Sequence, residues 1–382
     1  MAKILKLISI RTIKSSIFNS LAKNEKLALR FKIFNKSINY KNIAGEEILN
    51  IKGENGDIFF AKKFKNILVA ENTGCSLYPS NNFYKVINHS DGNVHKNWVK
   101  ISWQNKPIKK LSGITINLIG VHKGSKHYFH IFFDYFYPFL YFFKHSNYQN
   151  IPLKILVRED FNKVQKELHN LLQENFNNLE FIYVKKGEFI ECEELIYLNH
   201  FHNAFYDHIH HKKIAETMIF LRDLLLKKYG IIEKKFEEKK LIYISRKKAR
   251  LRRTINEKSF NLELSKRGFE TFDLEGLSLK QQIEIFFNAK LIIATHGAGF
   301  TNLIFSNKDL TFLEIFSKKY GSKDFIRIAN ILDLQRFEYR ENNEFIWQYF
   351  YINLTKILPK IDEIIAKILS SSRKKNSLNG YF

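Results

Sequence analysis

Apolar residues recur with two different rhythms along this chain. Residues 41–112 read as β-rich and irregular, with turns marked by Gly53-Glu54-Asn55-Gly56 and Pro79-Ser80-Asn81-Asn82. From Gly113 short apolar runs alternate with stretches of helical period. Gly113–His122, Pro152–Val157 and Leu179–Val184 predict strands. His127–Phe143, an amphipathic stretch through Leu172 and a long segment from about Ile209 to Lys228 predict helices. After the charged stretch Glu233–Lys240 the alternation resumes. Strands are expected at Lys240–Ser245, Phe269–Leu274, Lys290–Thr295 and Leu310–Ile315, with helices at Asn256–Arg267, Ser278–Asn288 and Gly299–Ser306. Short apolar strands alternating with helices predict a parallel α/β sheet.

The run Tyr128–Phe143 imitates a membrane span. It is sixteen residues long and carries His130, Asp134 and Pro138. A spanning helix needs about 20 residues, so a buried helix is expected instead.

A length of 382 residues suits two domains. The expected division is a basic N-terminal segment at 1–40, an N-terminal domain at 41–229 and a C-terminal domain at 230–382. Two alternating blocks predict two Rossmann-like domains facing a cleft. Residues 1–36 hold nine Lys or Arg and one acid, Glu25. Lys3, Lys6, Arg11 and Lys14 interrupt the apolar core that a signal peptide needs. A cytoplasmic protein is therefore expected, with peripheral contact to an inner membrane face. The two cysteines, Cys75 and Cys192, cannot form a disulfide framework, and no Cys-x-x-Cys pair is present.

The formal net charge is +24. Part of it follows from heavy lysine use; the rest calls for an acidic partner such as a nucleotide phosphate or an anionic surface. Nucleic acid is not the expected partner, because the aromatics sit in apolar runs rather than among basic residues, and no recognition motif appears.

Two strand ends carry the candidate chemistry. After Lys290–Thr295 comes His296-Gly297-Ala298-Gly299-Phe300-Thr301-Asn302. Its glycines permit close backbone approach, and a helix starting there points free N–H groups at the strand edge, which suits phosphate. After Lys240–Ser245 comes Arg246, opening a run to Arg253 in which six of eight residues are basic. The planar guanidinium of Arg246 suits phosphate. Glu314, at the end of another strand, is a candidate for ribose hydroxyls. In the first block His127, His130 and Asp134 fall on one helix face. Asp134 is either an ion pair with His130 or a general base raised by apolar neighbours. His200, His202, His208, His210 and His211 cluster without a carboxylate or cysteine at ligand spacing, so no metal site is expected there.

These residues resemble glycosyltransferase family 61. The similarity runs through Ser245-Arg246, Arg253-x-x-Asn256-Glu257, Gly268-Phe269-Glu270, Leu279-x-x-Gln282, His296-Gly297-Ala298-Gly299-x-Thr301-Asn302-x-x-Phe305 and Leu313-Glu314-Ile315. Phe300 stands where the family commonly has Leu. The resemblance implies an inverting enzyme with a GT-B arrangement, in which the Ser-Arg and His-Gly-Ala-Gly loops hold a nucleotide diphosphate. The donor-site residues it implies are Ser245, Arg246, Arg253, Asn256, Glu257, His296, Gly297, Ala298, Gly299, Thr301, Asn302 and Glu314. Family members carry a His and an Asp spaced four apart in an aromatic helix, which here are His130 and Asp134. The expected partners are a nucleotide-sugar donor and a glycan or lipid-linked acceptor of bacterial capsule or lipopolysaccharide type. No cofactor is expected, positive charge standing in for a metal. An epimerase-type nucleotide-sugar enzyme and a basic nucleic-acid binder are the alternative readings.

Overall fold

A computed structural model describes residues 37–39, 43–53, 56–71, 74–80, 83–88, 108–119, 127–198, 211–249, 251–317, 321–342, 344–346 and 349–378. The basic stretch 1–36 lies outside them, as does the histidine cluster, apart from the backbone of His211. The chain divides into two compact units, Met1–Phe205 and Tyr206–Phe382.

The N-terminal unit is built on a nine-stranded sheet. Its strands are β1 (Ser37–Asn39), β2 (Glu46–Gly53), β3 (Gly56–Ala70), β4 (Cys75–Ser80), β5 (Phe83–Asn88), β6 (Ile108–Asn117), β7 (Leu153–Arg158), β8 (Leu179–Val184) and β9 (Phe189–Leu198). Both predicted turns close hairpins, with Gly53 opposite Gly56 and Ser80 opposite Phe83. The sheet is mixed rather than wholly parallel. β9, β6, β7 and β8 are parallel neighbours, whereas β3 runs antiparallel to β9. β9 joins the two halves, pairing with β3 on one side and β6 on the other.

Over that sheet lies the aromatic helix. It begins as α1 (Tyr128–His130), widens into a π-helical segment at Ile131–Phe136 and returns to α geometry as α2 (Tyr137–His145). Pro138 explains the widening. It has no N–H for the carbonyl of Asp134, and its ring crowds that carbonyl. The N–H of Tyr137 accordingly donates to the carbonyl of Phe132, five residues back. The segment is buried, with Phe132, Phe133, Tyr137, Phe139 and Phe142 all at 1% exposure or less. Phe59 of β3 meets Tyr141 edge-on at 5.2 Å. Among the described residues no helix is long and apolar enough to cross a membrane. α3 (Lys163–Asn175) follows β7 and starts on a capping box between Asn162 and Gln165.

The C-terminal unit opens with α4 (His211–Tyr229). Its stripe of Ile214, Met218, Leu221 and Leu225 is buried, and Arg222 donates to the carbonyl of Ser306 at 2.9 Å. The helix expected to close the first domain is thus counted with the second, because its apolar face is covered there. The sheet comprises β10 (Lys240–Ile244), β11 (Phe269–Phe272), β12 (Ala289–Thr295), β13 (Thr311–Ser317) and β14 (Gln335–Glu341), all parallel, in the order β11-β10-β12-β13-β14. α5 (Glu257–Ser265), α6 (Leu279–Phe287) and α7 (Asp324–Leu332) connect them. A 3-10 helix at Ala298–Phe305 bridges β12 and β13. β15 (Glu344–Ile346) and β16 (Tyr349–Phe350) form a small hairpin ahead of α8 (Leu354–Leu378). Leu291, Ile293, Leu313 and Ile315 face one way, onto Phe260, Leu264, Ile357, Ile361 and Ile364 of α5 and α8. Residues of opposite parity, Glu314 among them, face the other way.

Candidate functional site

This strand order has a switch point. β10 connects outward to β11, whereas β12 connects away in the opposite direction, so the loops leaving their carboxyl ends part and leave a crevice. Ligands of open parallel sheets bind at such places. The two loops are those beginning at Ser245 and at His296, the pair singled out from sequence.

Arg246 is the centre of the first loop. Its backbone N–H donates to Glu257 Oε1 at 3.1 Å, and Tyr243 Oη donates to the same oxygen at 2.9 Å. Glu257 therefore shapes the loop from below. The Arg246 side chain donates through Nη2 to the carbonyl of Leu251 at 3.1 Å, while its Nε is buried without a partner. Among the described residues no carboxylate lies within ion-pair distance of this guanidinium. Burial, then the neighbouring charge of Arg252, bring its pKa down to about 10. A half-buried cation held this way is stabilised by an incoming anion.

Gly297 meets Arg246 directly. A methyl group on Gly297 would overlap Nη1 and Cζ of the Arg246 guanidinium. The glycine is thus required for space, its φ of 172° being open to any residue. Thr301, fully buried in the 3-10 helix, has a hydroxyl with no partner. At this one edge a half-buried guanidinium and the glycine it lies against come together.

Residues 128–313, just under half of the chain, match the sequence model of the family described as Glycosyltransferase 61. The chain resembles that family, and it is a glycosyltransferase. No curated protein matches it.

In this glycosyltransferase the remaining expected residues have varied tasks. His296 is 4% exposed. Its Nδ1 lies 2.6 Å from Glu314 Oε1, and its ring stacks on Phe316 at 5.0 Å. Glu314 Oε2 accepts from Arg336 at 2.8 and 3.0 Å. With both oxygens engaged and 1% exposure, Glu314 orients His296. Arg336 reaches on to Glu338 at 2.7 Å, which Arg340 also holds. Burial raises the pKa of Glu338, but the two arginines outweigh it and the net shift is downward. Sequence reasoning missed Arg336. The signal was the alternation in Gln335-Arg336-Phe337-Glu338-Tyr339-Arg340, which puts three charges on one face of β14 beside Glu314.

Asn302 donates to Gln282 Oε1 at 3.0 Å, and Gln282 to the carbonyl of Leu277 at 3.1 Å, tying the 3-10 helix to α6. Asn256 exchanges two hydrogen bonds with the backbone of Ile352, both at 2.9 Å. These contacts anchor the two asparagines within the fold. Ser245 Oγ accepts from the N–H of Lys247 and turns the loop. Arg253 is exposed, and its carbonyl accepts from Phe350. Ala298 and Gly299 are half-buried at the start of the 3-10 helix.

In the N-terminal unit His127 and His130 lie 5.0 Å apart, ring to ring. Asp134 sits in the π-helical segment; its side chain lies outside the described residues. π-Helical turns are rare and recur at functional sites. Among the described residues no group of three or more His, Cys, Asp or Glu is arranged to hold a metal ion.

Proposed function

We propose that this glycosyltransferase is an inverting enzyme of GT-B arrangement. It takes its sugar from a nucleotide-sugar donor held by the C-terminal unit and passes it to a hydroxyl held by the N-terminal unit. The contact of the Arg246 guanidinium with Gly297 at the β10/β12 switch point carries the reading. It supplies a preformed positive site at the edge where parallel sheets bind nucleotides.

In the proposed reaction a base on the aromatic helix, Asp134 with His130 as its rival, takes the acceptor's hydroxyl proton. The acceptor oxygen attacks the anomeric carbon opposite the diphosphate. The carbon–oxygen bond to the donor breaks and its electron pair leaves on the diphosphate, where Arg246 stabilises the growing charge. Because a guanidinium takes that task, transfer is proposed to need no divalent ion. The net charge of +24 supports a site of action at the inner face of a bacterial membrane, on a capsule or lipopolysaccharide acceptor.

Two measurements test this. Turnover of nucleotide sugars should require an acceptor and persist in excess EDTA. Turnover without an acceptor indicates an epimerase, and loss restored by Mn or Mg ions refutes metal independence. Asp134→Asn should keep donor binding and abolish single-turnover transfer. A destabilised variant that still transfers moves the base to His130 or His127.

A further inference from the structure

Two arginines stand side by side in the loop after β10, and the structure treats them differently. Arg253 is exposed, with its carbonyl turned to the N–H of Phe350. Arg252 is half-buried and has a φ of 60°, in the left-handed region. A bulky residue rarely adopts that conformation and keeps it only where its surroundings hold it. Here they do. Thr295 Oγ1, the last residue of β12, donates to the Arg252 carbonyl at 3.4 Å. On the other side the Arg246 guanidinium donates to the carbonyl of Leu251, the residue immediately before. Arg252 is thereby clamped between the two loops of the switch point, one residue from Arg246's contact and one from His296.

We infer that Arg252 is the second cation of the diphosphate site, and that Arg253 lies outside it. This rests on the donor reading above. It corrects the residue that the family resemblance implies and adds one not assigned by it. The charge of Arg252 is felt at Arg246, where it lowers the pKa alongside burial. The Arg252 backbone is tied to β12 through Thr295 and follows the Leu251 carbonyl that Arg246 holds, and a ligand with two adjacent phosphates can accept from two guanidinium groups.

The test uses inorganic pyrophosphate, which carries the shared phosphates and no base or sugar. Titration calorimetry is run on the full chain as wild type, Arg246→Ala, Arg252→Gly and Arg253→Gly. Glycine is chosen because it accepts the left-handed backbone at 252 without strain; Arg252→Asn, which also tolerates it, repeats the test should the glycine variant fail to fold. Arg252→Gly and Arg246→Ala should each lose about tenfold to a hundredfold in affinity. Arg253→Gly should stay within about twofold of wild type, the effect of one exposed charge. Equal losses at 252 and 253 would reduce the effect to net charge and overturn the inference. So would an unchanged Arg252→Gly beside a weakened Arg246→Ala, with the donor site left standing. Absence of saturable binding to the wild type would overturn the donor reading itself, and the inference with it.

Discussion

Buried charge is closed in one unit and open in the other. In the N-terminal unit Glu71, 2% exposed, receives Arg158 Nη2 at 2.8 Å and the N–H of Gly187 at 2.6 Å. His169, 1% exposed, lies among the rings of Phe136, Phe161 and Phe181. Its ring is kept neutral there, burial lowering its pKa to about 4. These groups have what they need from the protein itself. At the C-terminal edge of the second sheet, Glu314 is closed in the same way, between His296 and Arg336. Arg246 is not. Its Nε has no partner, and the nearest glycine leaves room for its guanidinium. A fold satisfies most of the polar groups it uses for itself, so a half-buried cation left open marks where something else can bind.

The comparison breaks first at Glu314. Replacing it with Ala leaves His296 and Arg336 facing an empty space in the core. Breaking a buried pair this way costs about 3–5 kcal/mol. Urea unfolding should show that loss, and a variant within about 1 kcal/mol of wild type would mean that the pair contributes little.

The N-terminal unit has a pH dependence of its own. His169 is near 4 when folded and near 6.5 when unfolded. The unfolded chain therefore gains the proton first as pH falls. The stability tied to the neutral ring is complete above about pH 6.5 and drains away towards pH 4, on the order of 3 kcal/mol in all. His169→Leu keeps the apolar contacts and removes the titration. The wild-type urea midpoint should fall relative to this variant over that window; parallel curves would show that His169 does not govern it.

Gly297→Ala is the smaller and more selective change. The added methyl meets the far end of a flexible side chain, so Arg246 swings aside and the fold stays. Diphosphate affinity should drop by about 1–2 kcal/mol with the melting temperature little changed, in line with a lost charge-assisted hydrogen bond. Unchanged affinity would detach Gly297 from the site.

Much of this was legible in the sequence, and where it was not there is a physical reason. β8 matches its expected span, and β10 and β12 end within one residue of theirs, because apolar runs bounded by charge or glycine mark buried strands. The switch-point loops were legible through Arg246 and Gly297. β9 was missed, since Glu191, Glu193 and Glu194 break up its apolar pattern. The π-helical widening depends on a single missing N–H at Pro138, which an apolar pattern does not register. The tie between Glu314 and Arg336 was not legible, because Arg336 comes from β14, 22 residues further on, and only strand pairing brings the two together. Arg252 and Arg253 are alike in sequence and are told apart only by the backbone.

The decisive measurement is thermal unfolding of the wild type and of Arg246→Ala against a panel of nucleoside diphosphates. A ligand that binds only the folded state raises the melting temperature by mass action. At least one diphosphate should stabilise the wild type, and Arg246→Ala, folded and with an ordinary melting curve, should lose most of that shift. A wild type indifferent to every diphosphate, or an Arg246→Ala variant stabilised as strongly as the wild type, would contradict a donor site at the β10/β12 edge.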